Sequence, residues 1–367
     1  MKRAFVFSSL FIPVFLLAAV SWSQSSASAS DPAATSSTAV SIEDRNAPVT
    51  QTIAEIRQSA EAGDPLGQNN LAFAYAFGKG VERNYEEAAR WFSVAASKGY
   101  APSQFNLGAL YENGLGVLED DGKAYKLIHA ASLQGYAAAE ERLGYFFERG
   151  KAVPVNLAEA ARWYRAAADQ GDAVAQCKLG NLYHSGRGVP HDDAESAKWY
   201  RKAAEQGNAI AQNNLGSLYH HGIGLERDYE QALFWYRKAA DQGLAEADNN
   251  LGVMYEDGLG IAKDYGQAAN LYSVAAAHGV IRGEYNLATM YYAGRGVPLD
   301  YVTAYLWYSR AAAAGDSSAA RVLKQLSGVM TPRQKDLAQE RLSESQAASI
   351  SEAPNHSPFD TARMNQK

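Results

Sequence analysis

Seven glycines, Gly78, Gly114, Gly150, Gly186, Gly222, Gly258 and Gly294, stand 36 residues apart with no insertion or deletion between them. A period of about 20 to 50 residues that never slips marks a chain built of stacked units, each burying its apolar face only against its neighbours. A second series, Gly63, Gly99, Gly135, Gly171, Gly207, Gly243, Gly279 and Gly315, keeps the same step, so each unit is two short segments closed by glycine. In the second segment of the first unit, Ala88, Trp91, Phe92, Ala95 and Ala96 recur at helical spacing. Each unit therefore reads as a helix pair.

The segment boundaries carry their own chemistry. Asn84, Asp120, Asn156, Asp192, Asp228, Asp264 and Asp300 open the second segments, where a short acceptor satisfies the free N–H groups of a first turn. Three residues on, Glu87, Glu159, Glu195, Gln231 and Gln267 predict a capping box; Lys123 and Thr303 depart from it. In the first segments a small residue (Gly67, Ser103, Ala139, Ala175, Ala211, Ala247, Gly283) precedes a leucine (Leu71, Leu107, Leu143, Leu179, Leu215, Leu251, Leu287) by four. An aromatic (Tyr75, Tyr111, Phe147, Tyr183, Tyr219, Tyr255, Tyr291) follows the leucine by four. Small against large predicts a core face on which adjacent helices interlock.

One full copy reads Ala211, Leu215, Gly216, Tyr219, Gly222, Gly224, Asp228, Ala232, Trp235, Tyr236, Ala239, Ala240, Gly243. This pattern resembles the Sel-one-like repeat family, relatives of the tetratricopeptide repeats, over about Ile53 to Leu326. Ala152 replaces the second loop glycine of the third unit, and Leu127 and Leu271 replace the tryptophan of the second and sixth. The resemblance implies an all-α fold, a right-handed superhelical α-solenoid of helix-turn-helix repeats, that binds a protein or peptide on its inner face.

The remaining segments frame the array. Lys2 and Arg3 precede an apolar run from Ala4 to Val20, and Ala27-Ser28-Ala29 offers a small-x-small cleavage site, so residues 1–29 read as a secretory signal. Residues 30–50, rich in Ser, Thr, Ala and Pro, read as a disordered linker and residues 51–63 as an N-terminal capping helix. Seven repeats then occupy 64–99, 100–135, 136–171, 172–207, 208–243, 244–279 and 280–315. Residues 316–345 read as a partial repeat and capping helix, with Pro332 in a first turn, and 346–367 as a tail. The expected location is the bacterial periplasm or beyond, with no stable membrane insertion once the signal is removed. Without residues 1–29 the charge balance moves from 34 minus 40, or −6, to 32 minus 40, or −8, which argues against nucleic acid as a partner.

Catalytic signatures are missing: the chain holds no Ser-x-x-Lys, Gly-x-Ser-x-Gly, His-Glu-x-x-His or phosphate loop. Cys177 is the single cysteine, so no internal disulfide braces the units. The family's disulfide-rich secreted members, some linked to penicillin binding, carry paired cysteines in every unit, and this chain does not. His184 and His220 share a column in adjacent units, but units about 8 to 10 Å apart cannot converge on one ion, and neither a metal nor another cofactor is expected.

If Leu71 and Tyr75 mark the core, a rotation of about 100° per residue sends columns 69, 73 and 76 to the opposite, open face. Those columns also vary most in chemistry from unit to unit. They supply the candidate partner-binding groove: Phe73, Phe105, Tyr145, Glu148, Asn181, His184, Asn213, Ser217, His220, Asn249, Glu256, Tyr285 and Tyr292. Beside them Asn70, Asn106, Asn214, Asn250 and Asn286 precede the core leucines, where a structural hydrogen bond to a neighbouring loop is expected. The sequence thus reads as a non-enzymatic exported scaffold with a protein or peptide partner, possible settings being envelope signalling, secretion or host interaction. A peptidoglycan- or β-lactam-binding enzyme is the alternative.

Overall fold

The computed structural model describes residues 52–351, with side chains to residue 344; the signal and linker assigned to 1–29 and 30–50, and residues 352–367 of the tail assigned to 346–367, lie outside the described residues, while 346–351 continue the last helix. Helix α1 (Ile53–Glu61) opens the array. Seven pairs follow: α2 (Pro65–Phe77) with α3 (Tyr85–Ser97), α4 (Ala101–Asn113) with α5 (Asp121–Ser132), α6 (Ala137–Arg149) with α7 (Leu157–Asp169), and α8 (Ala173–Ser185) with α9 (Asp193–Glu205). Then come α10 (Ala209–His221) with α11 (Tyr229–Ala240), α12 (Ala245–Asp257) with α13 (Tyr265–Ala277), and α14 (Ile281–Ala293) with α15 (Tyr301–Ala313). Helices α16 (Ser317–Val329) and α17 (Pro332–Ser351) close the chain, α17 packing on α15 and running past the expected end of the cap. The described residues form helices and no strand, an all-α solenoid in two compact units, one ending at His191 and the other beginning at Asp192.

Local chemistry sets the helix boundaries. Every first helix of the seven pairs ends on a glycine with φ between 61° and 72°, the left-handed conformation that a side chain resists. Every second helix is capped by its Asn or Asp, whose side chain accepts the N–H three residues on. Both halves of a capping box close at α1, between Thr52 and Glu55. At α3, α7 and α9 the expected box gives way: Glu87, Glu159 and Glu195 turn forward to Arg90, Arg162 and Lys198. A basic residue three positions later competes successfully for the carboxylate.

The seven leucines of the first helices are buried, as are Phe92, Ile128, Tyr164, Tyr200, Tyr236, Tyr272 and Tyr308 of the second. The aromatic column beginning at Tyr75, expected in the core, is only half-buried. Its rings instead meet cations at the rim, with Lys123 Nζ 5.0 Å from the Tyr111 ring and Arg201 Cζ 5.9 Å from that of Tyr219. The true core aromatics lie over the glycine that follows the leucine: a Cβ on Gly144 would sit 2.7 Å from Tyr164 Cδ1, and one on Gly252 2.6 Å from Tyr272 Cε1. In the loops, a Cβ on Gly116 would overlap the backbone at the start of α3. Ala152 fills the equivalent place after α6 at φ 57°.

Candidate functional site

Within each unit the first helices α2, α4, α6, α10, α12 and α14 are flanked twice. Helix α4 packs on its own partner α5 and on α3 of the unit before, and α12 does the same with α13 and α11. Two flanking helices cover more of a cylinder than one, so the open surface of a first helix is narrower than a rotation from a single core face suggests. In the first unit it runs through columns 66, 70, 73 and 77, at i, i+4, i+7 and i+11: Leu66, Asn70, Phe73 and Phe77 in α2, then Arg142, Tyr145 and Arg149 in α6. In the second unit the same columns hold Ile210, Asn214, Ser217 and His221, then Asn250, Val253 and Asp257, then Asn286 and Thr289.

The expected groove therefore splits. Column 73 lies on the open stripe except in α4, where Ala109 and its column-70 neighbour Asn106 are buried, but column 69 is mostly a seam between repeats. Phe105 is buried with its ring edge-on to Tyr136, and Cys177 is buried, its thiol pushed up to about 11 by desolvation. Asn249 is buried and accepts a 2.9 Å bond from Asn286, while half-buried Asn213 accepts one of 2.8 Å from Asn250. Of the recurring asparagines, Asn250 and Asn286 thus bond to the preceding repeat's first helix rather than to a loop. Where the column carries cations the register changes: Arg142 reaches Glu112 at 2.6 and 2.8 Å, and Lys178 lies 3.5 Å from Glu148. Glu112, buried and expected on the open face, is held further by Lys151 at 3.1 Å.

Column 76 and part of column 73 answer the buried tyrosines. The Tyr164 hydroxyl donates to Glu148 at 2.7 Å, and that of Tyr272 to Glu256 at 2.8 Å. Burial first, and then these carboxylates, raise both phenols far above their ordinary range. Ser217 hydrogen-bonds the Tyr236 hydroxyl, and Thr289 lies 2.8 Å from that of Tyr308. Where the second helix has no hydroxyl the partner is apolar, as with Phe73 edge-on to Phe92 at 5.3 Å. Much of the variation that suggested a groove is thus compensation, since a buried hydroxyl requires an acceptor.

The remaining candidates lie nearer solvent. Tyr145 stands between Arg142 and Arg149, whose Cζ atoms are 4.5 and 5.9 Å from its ring. Asn181 is half-buried and its carbonyl accepts from Ser185; His184 is exposed, its carbonyl 2.8 Å from His191 Nδ1. His220 stacks on His221 at 4.4 Å, and burial lowers its pKa, with His221 adding to the shift. Tyr285 lies edge-on to Tyr308 at 5.4 Å, and exposed Tyr292 leans on Tyr301 at 5.7 Å. Among the described residues no cluster of His, Cys, Asp or Glu is gathered as a metal site, and no helix is long and apolar enough to cross a membrane. Sequence reasoning missed columns 66 and 77 of the open stripe; the signal that could have found them is the second apolar flank each first helix must offer to the preceding repeat.

The Sel1 repeat family matches residues 65–100, 101–136, 137–172, 173–208, 209–244, 245–280 and 281–316. None of the curated proteins compared matches the chain. Among solved structures, a Sel1 repeat protein from Oxalobacter formigenes is 33% identical, covering 75% of this chain and 79% of its own, with a TM-score of 0.57. The protein c5321, a protective antigen of uropathogenic Escherichia coli with an SLR fold, is 30% identical over 82% of this chain and 72% of its own, with a TM-score of 0.51. Sel1 repeat proteins generally serve as protein-interaction scaffolds, and the fold is typically non-enzymatic. With seven contiguous family repeats along the array just described, the chain belongs to the Sel1 repeat family.

Proposed function

We propose that this protein is an exported scaffold that holds an extended segment of a protein partner along the open stripe of the first helices within a unit. The observation that supports this reading is the stripe's composition. In α2 and α6 it offers aromatic faces, Phe73 stacked on Phe77 at 6.0 Å and Tyr145 between two guanidinium groups. In α12 and α14 it offers the amides of Asn250 and Asn286, each spending one donor on the preceding repeat. An amide carries two donors and an oxygen with two lone pairs, so each retains capacity for a peptide backbone. The signal-like segment at 1–29 supports export to the periplasm or beyond.

In-cell photo-crosslinking tests the reading, with the probe at Ser185 or His221 on the stripe and at Lys202 on a second helix, all three exposed. A discrete protein captured from the stripe and not from Lys202 is the expected result. Equal or absent capture from both faces overturns it.

A further inference from the structure

A hydrogen-bonded ladder that plays no part in the open stripe crosses the repeat junctions. Gln68, Gln176 and Gln212, buried near the starts of their first helices, donate to the carbonyls of Ala60, Ala168 and Ala204, eight residues back at the end of the preceding helix, at 3.0 to 3.1 Å. The side-chain oxygen of Gln212 accepts from the next second-helix end, Gln242 donating at 2.7 Å, whereas that of Gln68 is buried without a partner. In the third and seventh repeats the same position is Glu140 and Glu284, 6% and 4% exposed, nearly as closed as Gln68, Gln176 and Gln212 at 3%. Gln170 donates to Glu140 at 2.6 Å and Arg310 pairs with Glu284 at 3.0 Å, so the accepting half of the ladder persists. The donating half cannot: a carboxylate has no proton to give, whereas the glutamines at this position spend one on the carbonyl eight residues back.

We propose that Glu140 and Glu284 are proton-linked junctions: a carboxylic acid at either place completes the bond to the preceding helix end and stiffens the joint, and ionisation loosens it. The step is a simple protonation, the proton coming from and returning to water. Both carboxyls are raised above the ordinary range by desolvation, opposed by Gln170 at Glu140 and by Arg310 at Glu284. On the helices packed against Glu140, the neutral Gln170 ends α7, and the one titratable ring near the end of α5, His129, stacks on Tyr125. Glu141, the next residue, responds to Asp172, Arg142, Lys178 and Glu112 instead. Against Glu284 the charged group is Arg310 of α15. With a raised folded-state pKa, the extra bond is fully present below the unfolded value and is lost as pH rises through the folded one. The inference stands independently of any partner.

Hydrogen exchange of the full chain, corrected for intrinsic rates, reads the joint directly. It is measured at pH 5 and pH 8 in a Glu141→Gln background so that Glu141 does not contribute. Protection at the end of α5 and the start of α6 is expected to fall about fivefold at pH 8, the weight of one buried hydrogen bond, and Glu140→Gln is expected to abolish that fall. The converse variant, Gln176→Glu, is expected to import the same pH dependence to the α7–α8 joint. Identical pH responses with Glu or Gln at position 140, or no new response from Gln176→Glu, overturn the proposal.

Discussion

The pairing of buried phenols with first-helix acceptors is open to a graded test. Tyr272 is fully buried and its hydroxyl donates to Glu256, an ionisable acceptor whose side chain is 23% exposed, with Arg295 3.8 Å away. Tyr308 is equally buried, but its partner is a neutral hydroxyl: Thr289 gives its proton to the Tyr285 carbonyl at 2.9 Å, leaving Tyr308 to donate at 2.8 Å. Hydrogen bonds to charged groups contribute about 1.5 to 3 kcal/mol and neutral ones about 0.5 to 1.5. Because Glu256 can recover some water, Tyr272→Phe is expected to cost about 1.5 to 2 kcal/mol and Tyr308→Phe about 1, read by urea denaturation with hydrogen exchange on α13 and α15. A double-mutant cycle of Tyr272→Phe with Glu256→Gln should return a coupling of about 0.5 to 1.5 kcal/mol. If Tyr308→Phe costs as much as Tyr272→Phe, or the coupling vanishes, the acceptor columns are not compensating for the phenols.

Three further outcomes follow from other sites. Glu141, half-buried, is raised to about 7 by desolvation and then by Asp172, so the folded protein holds its proton more tightly than the unfolded chain. The penalty is absent below about pH 4.5 and grows as pH rises to 7; Glu141→Gln should therefore stabilise by about 1 to 2 kcal/mol at pH 8, after discounting for solvent screening, and change little at pH 4.5, by urea titration at both. Arg142→Ala strips buried Glu112 of two of its three bonds, leaving Lys151, and should lower stability by about 2 to 3 kcal/mol in the same assay. Ala152→Gly relieves a left-handed alanine worth about 1 to 2 kcal/mol of strain against about 0.4 to 1 returned through the unfolded chain, so the melting temperature should rise.

The repeat, the helix caps and the buried leucines were legible because each depends on contacts within a few residues or on a period that repeats undamped. The site was less so. The rotation that put columns 69 and 76 on the open face assumed one buried flank, whereas first helices such as α4 and α12 have two. Asn249 and Phe105 consequently lie inside, and His184 and Tyr292 outside. The link from Glu148 to Tyr164, or from Thr289 to Tyr308, spans 16 or 19 residues within one repeat. Nothing in a single column reveals it. Comparing columns across repeats does for several of them, because glutamate, serine or threonine stands opposite Tyr164, Tyr236, Tyr272 and Tyr308, and phenylalanine opposite Phe92.

The loop glycines bear on how such a gene changes length. Gly116 lies against the start of α3, Gly188 against that of α7 and Gly296 against that of α13, each too close for a side chain. A connection pressed so tightly onto the preceding repeat has no slack for an inserted residue, and a residue deleted would pull the next first helix out of phase with both of its flanks. Single-codon indels are thus expected to be purged while duplication or loss of a complete repeat is tolerated, so that descendants of this array differ by whole modules rather than by loop length.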